Sequence, residues 1–485
     1  MPKSTTEVTL TDFEGVATGL TARFKDTEFQ QADNFWITPN KTLRVRNGFN
    51  THGTVQSYDN AEILGKFSTG NDYIIVTHDD GLDPVFISNG NTLGTGFIDP
   101  DPADLMLVAN SVAYFFDDGS GANRNVRTWA GGAVTDTGQS QKANLGVTHK
   151  NRFFVCNNIT TGVAKSQLRY TDIFDLNLPS TALGWSEGGT ISVNTSDNDF
   201  ITAVCVMNDT LFIFKRYSSW VLYTDGVDTS WTLRNIHPTI GCVGRDTVAV
   251  IGGLLYFLSG QGLYRTDGTT FERLSDKVSD WFDSLTVTAA QCNLRSAAWY
   301  ENLYVLNINN SSWLNIYHID NGGWTQWDVS DNPLSRLISV PEFSPWAIMS
   351  WFQGTAECLA LYHSDTLFGD RRPGGGATIS YYTPEITTKG FDFDKPLDVK
   401  QVIEVVLDIS SATSVDDSLS YLWVTEGNTS STVTNVFYLR NSTLVRLGIN
   451  NRCRKIYLNF YTGCQPYEIN SISFVLNLRG RAKAT

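Results

Sequence analysis

Acidic side chains are the residues of this chain whose type and spacing come closest to a chemical site. Three clusters stand out, each beside turn-forming residues: Asp79-Asp80, the stretch Asp99 to Asp104, and Asp117-Asp118. Facing carboxylates perform acid–base catalysis in glycosidases, and carboxylate oxygens bind calcium. None of the clusters matches the D-x-[DN]-x-[DN]-G calcium loop, so the pattern favours ordinary turn carboxylates.

Other chemical motifs are weaker still. The sequence Gly260-Gln-Gly262 is followed by another turn rather than by a helix, which predicts a hairpin and not a dinucleotide site. Gly65-Lys66 precedes Phe67, which lacks the hydroxyl of a phosphate-binding loop. The histidines show no zinc-ligand spacing: His52, His78, His149, His237, His318 and His363. We therefore predict no enzyme, no catalytic residue, no metal site and no cofactor.

Aromatic residues pose a choice between a sugar-binding cleft and a packed core. Trp324 and Trp327 form one string, and Trp346 to Trp351 forms another. Both alternate with turn residues, as expected where neighbouring sheets pack against each other, so the core interpretation is favoured.

Charge and cysteine content exclude several classes of protein. The formal net charge of −14 argues against a general nucleic-acid binder, although an acidic wall would keep DNA from adhering to it. The seven cysteines have no Cys-x-x-Cys spacing, which predicts reduced thiols. Neither a signal peptide nor a membrane-spanning segment is expected, so we predict synthesis in the cytoplasm and no membrane insertion.

Short runs of β-branched and aromatic residues recur along the chain. The clearest unit, from Gly241 to Ser275, reads as strand, Gly252-Gly253 turn, strand, turn and strand. Related units begin near Asn71, Asn110, Asn151, Asn208, Glu301 and Pro345. A spacing of roughly 40 to 55 residues is typical of propeller blades. The predicted fold class is therefore all-β, with a β-propeller of six or seven blades.

The predicted domains follow from changes in this pattern. Residues 1–60 precede the first blade-like unit, residues 61–370 form the propeller, residues 371–376 form a linker, and residues 377–485 form a carboxy-terminal β-sandwich that we call the platform. We expect the amino-terminal segment to pack with the platform. Three stretches have helix-like spacing: Asp26–Asn34, Asp101–Ala109 and Ser275–Ser284.

Four regions also resemble a known family. They are Phe29–Asn34 with Lys41–Arg46 and Gly48; Leu211–Trp220 with Tyr223–Gly226; Ile240–Cys242 with Phe257–Ser259, Gly262–Tyr264, Asp267–Gly268 and Leu274–Ser275; and Lys395–Lys400. In these stretches the chain is similar to the nozzle or tail-hub proteins of short-tailed bacteriophages, which are relatives of tubular tail protein B and of the tail stabilisation proteins. The chain departs from that family at Gly244-Arg245, and it shows no large inserted tip domain.

The resemblance implies a structural component of the virion tail, assembled in the bacterial host cytoplasm. It implies a ring of subunits, six in number, below the portal–adaptor complex, whose lumen retains packaged DNA and then passes it during ejection without sequence-specific binding. Attachment of tail fibres is a further possible partnership. Two alternatives remain open: a receptor-binding or protein-interaction propeller of the virion, and a carbohydrate-active propeller enzyme.

Overall fold

The computed structural model describes most of the chain. The described residues are 5–18, 25, 27–46, 48–51, 61–79, 81–86, 101–118, 125–160, 162–172, 188–225, 227–283, 285, 288–308, 311, 313–329, 334–340, 346–351, 358–362, 370–371, 379–380, 383–391, 393, 399–411, 415–425, 428–429, 433–439, 442–462 and 467–478.

Strands dominate the chain from its start. The amino-terminal strands are β1 (Thr5–Leu10), β2 (Gly15–Val16), β3 (Glu28–Asp33), β4 (Phe35–Ile37), β5 (Leu43–Val45) and β6 (Phe49–Thr51). The first three blades contain β7 (Glu62–Ser68), β8 (Asp72–His78) and β9 (Gly81–Phe86); β10 (Leu105–Ala109), β11 (Val112–Phe116), β12 (Arg127–Trp129) and β13 (Thr135–Asp136); and β14 (Leu145–His149), β15 (Arg152–Cys156), β16 (Gln167–Tyr170) and β17 (Gly189–Ser192).

Four more blades follow. They contain β18 (Ile201–Met207), β19 (Thr210–Lys215), β20 (Ser219–Tyr223) and β21 (Thr232–His237); β22 (Ala249–Ile251), β23 (Leu254–Ser259), β24 (Gly262–Thr266) and β25 (Phe271–Arg273); β26 (Ser296–Tyr300), β27 (Leu303–Asn307), β28 (Trp313–His318) and β29 (Gly323–Asp328); and β30 (Ile338–Ser339), β31 (Trp346–Trp351) and β32 (Cys358–Tyr362). The predicted all-β propeller is confirmed, with seven blades among the described residues.

The ring of blades closes with a strand from the other end of the chain. Strand β6 pairs antiparallel with β32 and completes blade 7, so that residues near position 50 hold residues near position 360. Blade 7 then contacts blade 1 through β31 and β7. The first strands of successive blades also contact each other: β7 contacts β10, and β10 contacts β14. The first strand of each of these blades therefore lies next to the propeller axis.

Apolar layers separate neighbouring blades. Phe67, Tyr73 and Trp129 fill the layer between blades 1 and 2, and Phe214 packs on Phe257 between blades 4 and 5 with ring centroids 4.8 Å apart. In blades 1 to 6 the second strand lies between two such layers and is buried along nearly its whole length. These strands therefore read as continuous apolar runs instead of alternating ones.

Tight turns join the first and second strands of the blades. Both residues of the Asn110-Ser111, Asn208-Asp209 and Gly252-Gly253 turns have positive φ, between 48° and 79°. Two-residue turns with this backbone match the right-handed twist of a hairpin and favour Asn, Asp and Gly. Asn110 and Asn208, which marked two of the blade-like units in the sequence, are thus turn residues themselves.

A second unit of strands follows the propeller. It contains β33 (Asp370–Arg371), β34 (Ile379–Ser380), β35 (Glu385–Thr388), β36 (Lys400–Ser411), β37 (Val415–Thr425), β38 (Asn428–Thr429), β39 (Val433–Leu439), β40 (Ser442–Cys453), β41 (Ile456–Thr462) and β42 (Tyr467–Leu478). One sheet has the order β4-β5-β42-β36-β40 with β1 beside β42, and the other continues from β3 through β35, β41 and β37. Strands of the amino-terminal segment therefore belong to both sheets of the platform.

The domain boundaries stay predictions. Arg371 pairs with Ile379 in a short hairpin, and positions 372–376 of the expected linker lie outside the described residues. Strand β6 joins blade 7, although the rest of the amino-terminal strands join the platform or the edge of blade 6.

Two of the three helix predictions are wrong. Residues 28–33 form β3, because a register shift between Phe29 and Gln31 lets Phe29 and Ala32 both face the core despite their helical spacing. Residues 105–109 form β10, in which Leu105 and Leu107 are buried at the period of a strand. The third stretch contains a 3₁₀ helix, Asp276–Phe282, that buries Val278 and Phe282.

A short α-helix, α1 (Ala289–Asn293), precedes blade 6 and begins after Thr288, whose Oγ1 accepts a hydrogen bond from Gln291 N. The remaining helical segments are 3₁₀ turns at Ala164–Ser166, Thr195–Asp197 and Asp228–Ser230. In the described part of the chain, none of the helices has both the length and the apolar character that crossing a lipid bilayer requires.

A buried polar junction joins the platform to blade 6. Asn34 N donates to Gln326 O at 2.7 Å, and Asn34 Nδ2 donates to Thr383 O at 3.2 Å. Asn34 Oδ1 accepts from Asp328 N at 2.9 Å and from Arg46 Nε at 3.0 Å. Asn34 has a φ of 61°, a conformation that asparagine tolerates better than most residues. One side chain thus links β3, blade 6 and the segment before β35.

Close packing surrounds this junction. Arg46 is fully buried and lies 5.8 Å from the ring centroid of Trp327, whose Nε1 donates to Phe35 O at 2.9 Å. Gly15 has a φ of 86°, and a Cβ there would lie 2.6 Å from Trp324 N. The backbone of the amino-terminal segment therefore approaches blade 6 too closely for any larger residue.

We expect Asn34→Ala to lower the free energy of unfolding by about 2 to 4 kcal/mol, because several buried hydrogen-bonding groups lose their partner and alanine disfavours positive φ. Asn34→Gly removes the cost of the positive φ but not the loss of the side-chain hydrogen bonds, so it should remain clearly less stable than the parent. The measurement is urea unfolding followed by tryptophan fluorescence. Asn125→Ala, which removes one exposed hydrogen bond, is the control; an equal midpoint for both alanine variants would contradict the assignment.

Candidate functional site

Charged residues gather at the end of the propeller where the inner strands begin. The layers between blades are apolar, so ionic side chains are accommodated where the strands enter from solvent and meet around the axis. Glu62 begins β7, Asp104 precedes β10, Arg245 and Asp246 precede β22, and Arg336 precedes β30. We call these five residues the axial network.

Arg245 is the centre of the axial network. Its Nε lies 2.7 Å from Asp246 Oδ2, and its Nη2 lies 3.1 Å from Glu62 Oε1. Its Nη1 donates to Asp104 O at 3.5 Å. Blade 5 lies across the ring from blades 1 and 2, so this one side chain spans the axis.

Arg336 adds a connection from blade 7. Its Nη2 lies 2.6 Å from Asp246 Oδ1, and its Nη1 donates to Leu64 O at 3.1 Å. Asp246 therefore accepts from two guanidinium groups, one on each carboxylate oxygen. Four of the seven blades are tied together at the axis by these contacts.

The electrostatics of the two arginines differ. Burial by itself lowers the pKa of an arginine, but the charges of Asp246 and Glu62 raise the pKa of Arg245 above its ordinary value. Burial dominates at Arg336 and lowers its pKa, although Asp246 opposes the shift. The site is therefore an ion-pair network that holds opposite blades together.

Two of the acidic clusters from the sequence meet beside this network. Ligand oxygens of Asp104, Asp117 and Asp118 all lie within 4.8 Å of one another. Asp118 N donates to Asp104 Oδ2 at 2.8 Å, and Ala143 N donates to Asp117 O at 2.9 Å. Three carboxylates at this spacing are the donor set of a hard cation, but Asp104 Oδ2 already accepts a backbone hydrogen bond, so we assign no metal to them.

Burial raises the pKa of Asp104 to about 6. The hydrogen bond from Asp118 N and the charge of Arg245 oppose this shift, while the carboxylates of Asp118 and Asp117 reinforce it. Asp104 thus changes its charge near neutral pH at the edge of the axial network. Of the other residues in the acidic clusters, Asp80 and Asp99 lie outside the described residues.

The described histidines have structural partners. His149 Nε2 lies 2.8 Å from Thr224 Oγ1, and His318 Nε2 lies 2.9 Å from Thr325 Oγ1. Burial lowers the pKa of His318 to about 3, which keeps the ring neutral. His237 Nδ1 accepts from the backbone N of Ile240 at 2.9 Å. His52 and His363 lie outside the described residues.

Several cysteines and the two tryptophans of the first aromatic string belong to the core. Five cysteines have described side chains and are free thiols, four buried and one partly buried: Cys156, Cys205, Cys242, Cys292 and Cys453. Trp324 and Trp327 are at most 1% exposed, which confirms their assignment to packing over a sugar-binding cleft. The Gly260-Gln-Gly262 segment joins two paired strands, as predicted for a hairpin.

Sequence reasoning missed the axial network. Glu62, Arg245 and Arg336 are far apart in the chain and carry no motif. One signal was available: Gly244-Arg245 interrupts an otherwise apolar stretch before a blade, where a charged residue must find partners at the strand ends.

Comparisons with known proteins add little to this geometry. No family model matches the chain, and no curated protein matches it. Solved structures with a similar arrangement include a chain of the mitotic checkpoint complex, at 11% identity and a TM-score of 0.40 over 71% of this chain and 98% of that one. PorZ of the Porphyromonas gingivalis type-IX secretion system has 12% identity and a TM-score of 0.38, over 82% of this chain and 46% of that one. The Neurospora crassa Pan2 WD40 domain has 8% identity and a TM-score of 0.38, over 64% of this chain and 96% of that one. Likeness at this level carries no argument about function.

We expect Arg245→Ala to lower the free energy of unfolding by about 1.5 to 3 kcal/mol, because it removes the cation of Glu62 and leaves Asp246 paired with Arg336 alone. The matched control is Arg265→Ala in the same blade, which breaks an exposed pair with Glu272 and should cost less than about 1 kcal/mol. Chemical unfolding monitored by circular dichroism measures both. Equal losses in the two variants would argue against a buried axial network.

Stability should depend on pH through Asp104. A carboxyl group with a raised folded-state pKa binds its proton more tightly in the folded state, so its contribution is present below 3.8 and is lost as the pH rises through about 6. Asp104→Asn should therefore raise the Tm at pH 7.5 more than at pH 5. Burial also raises the pKa of Asp33 to about 6. Asp33 is unchanged in this variant, so its pH-dependent contribution to stability is the same in variant and parent. An unchanged Tm difference between variant and parent across this range would refute the assignment.

Proposed function

We propose that this chain is a ring subunit in the tail of a short-tailed bacteriophage, a nozzle or hub protein below the portal–adaptor complex. In this role the ring lumen retains packaged DNA and then passes it during ejection. The proposal starts from the sequence resemblance. The structural observation that carries it furthest is the continuous sheet that runs from blade 6 into the platform.

That sheet makes one stiff body from two units. Strand β29 of blade 6 pairs with β3, which pairs with β35 and then leads through β41 to β37. Asn34 and Arg46 fix the same junction with buried hydrogen bonds. A subunit that must keep its shape around a DNA channel needs this kind of rigid coupling, because a hinge there would let the wall deform.

The charge of the chain suits the same role. At −14 it repels the phosphates of a passing duplex, which favours transit over adhesion. In the proposal DNA passes through the lumen of the ring of subunits. Arg245 and Arg336 cross the axis of each propeller, so DNA does not pass there. The propeller instead stiffens the wall of the ring.

The proposed partners are other copies of the chain, the portal–adaptor complex and tail fibres. Contacts between copies are heterologous, and they close into a ring when the rotation per subunit divides a full turn. The resemblance implies a ring of six copies. The proposed location is the virion tail, after assembly in the cytoplasm of the bacterial host.

A second candidate function is protein interaction by the propeller, as in a receptor-binding subunit of the virion. Exposed apolar side chains on loops near the axial network favour it: Ile159 is 40% exposed, Tyr217 is 51% exposed and Leu294 is 46% exposed. Propeller rims that carry such residues are suited to docking a partner. The two functions are compatible within one tail protein.

The tail role predicts assembly. Mixing the purified chain with portal and adaptor proteins should give ring-shaped particles with sixfold symmetry in electron micrographs, and light scattering should give a mass of six copies on the connector. The chain mixed with portal alone is the control, because the proposed seat is the adaptor ring. A persistent monomer with both partners present, or density for the chain away from the axial tail passage in intact virions, would sink the proposal.

A further inference from the structure

A cavity of about 300 Å³ opens between blades 2 and 3. One wall is the segment that connects these blades, which includes Gln141 and Lys142, and another is the loop that begins at Asn157 and contains Thr160. Gln167 and Arg169 of β16 also line the cavity. The volume is at the lower end of the range for binding pockets, enough for one polar group with its neighbours.

The cavity is positively charged in an acidic protein. Lys142 and Arg169 both line it, and its lining includes no Asp or Glu. Among the described residues, neither side chain makes an ion pair or a hydrogen bond, whereas Lys150, Arg152 and Lys165 of the same blade all have partners. Two cations left without counter-charges beside one cavity are complementary to an anion.

The walls of this cavity are held in place before any ligand arrives. Asn157 Nδ2 donates to Asp118 O at 2.5 Å, and Thr160 Oγ1 donates to Asn157 O at 2.9 Å. Lys165 Nζ, at the far end of the loop, donates to Asn198 O at 2.9 Å. A preorganised loop loses little conformational entropy on binding, which favours affinity from few contacts.

Apolar side chains lie on the loop that contributes Thr160 and Ala164 to the lining of the cavity. Ile159 is 40% exposed and Val163 is 57% exposed, and they flank Thr160 in the sequence. Leu294 is 46% exposed, and the residue before it, Asn293, accepts a hydrogen bond from Asn158 at 3.3 Å. We call Ile159, Val163 and Leu294 the apolar rim. A polar pocket beside exposed apolar residues has the composition of a protein-binding surface.

We propose that the cavity between blades 2 and 3 binds an acidic segment of a partner protein, with an Asp or Glu side chain between Lys142 and Arg169 and its apolar neighbours on the rim. A free anion would use the two cations but not the rim, so the rim favours a peptide ligand. The thiol of Cys156, which also lines the cavity, takes no part, because burial raises its pKa to about 12. This inference does not rest on the tail role.

The test uses a fluorescein-labelled peptide of alternating Leu and Glu, with an alternating Leu and Gln peptide as its match. Fluorescence anisotropy with the full chain should show saturable binding of the Glu peptide only, weakened by added salt because the contact is ionic. Failure of the Glu peptide to bind up to millimolar concentration, or equal binding of the Gln peptide, overturns the proposal.

The double variant Lys142→Gln with Arg169→Gln should weaken binding at least about tenfold, the effect of losing a charge-assisted hydrogen bond. The control is Lys41→Gln with Arg234→Gln, which changes the net charge equally at two sites remote from the cavity and should bind like the parent. Equal weakening by both pairs would mean that only net charge matters, and would overturn the site.

Val163→Ser separates a peptide site from a free-anion site. We expect severalfold weaker binding of the Glu peptide from the loss of one apolar rim contact. Inorganic phosphate is the second arm and should compete only at concentrations far above those of the peptide. Unchanged peptide binding by Val163→Ser, together with phosphate competition at matched concentration, would show a free-anion site and overturn the proposal.

Discussion

The need to bury both faces of every blade is the constraint on which the rest of this structure depends. The second strand of blades 1 to 6 is buried along nearly its whole length, so exposing either face of such a blade to water would be costly. Stacking blades side by side buries one face after another, but leaves two exposed faces at the ends of the row. Closing the row into a ring removes them, and β6 secures the closure by completing blade 7 with residues from the other end of the chain. Closure of the ring therefore completes the burial of the blade faces.

The platform depends on the same ring. Its strand β3 extends the sheet of blade 6 at the outer edge, where an unpaired strand would otherwise present free backbone groups. Asn34 then uses both ends of its side-chain amide to join strands from three parts of the chain. Because the amino-terminal strands enter both the platform and blade 7, neither unit completes its sheets without them. This shared use of one segment is what gives the proposed wall subunit its stiffness.

Charge is placed where the apolar layers end. The axial network collects carboxylates and guanidinium groups from opposite blades, and its members largely neutralise one another. The cavity beside blade 3 has the opposite character, because Lys142 and Arg169 have no acidic neighbours in its lining. The two sites lie at the same end of the propeller, and they illustrate how one surface combines a closed structural network with a region suited to recognition.

The sequence alone determined the class of fold, because its signals are local. Apolar runs such as Ala113–Phe116 predict strands that are buried on both faces. Pairs such as Asn208-Asp209 predict tight hairpins, because they adopt the positive φ that such turns need. It failed at 28–33, where a bulge gave a strand the spacing of a helix. It also did not reveal β40, in which exposed and buried residues alternate from 444 to 449. Only the tertiary structure decided that β6 completes blade 7, that Arg245 reaches Glu62, and that Lys142 and Arg169 share a cavity. Those contacts join residues from distant parts of the chain, and no short-range pattern encodes which distant residues the closure of a ring will bring together.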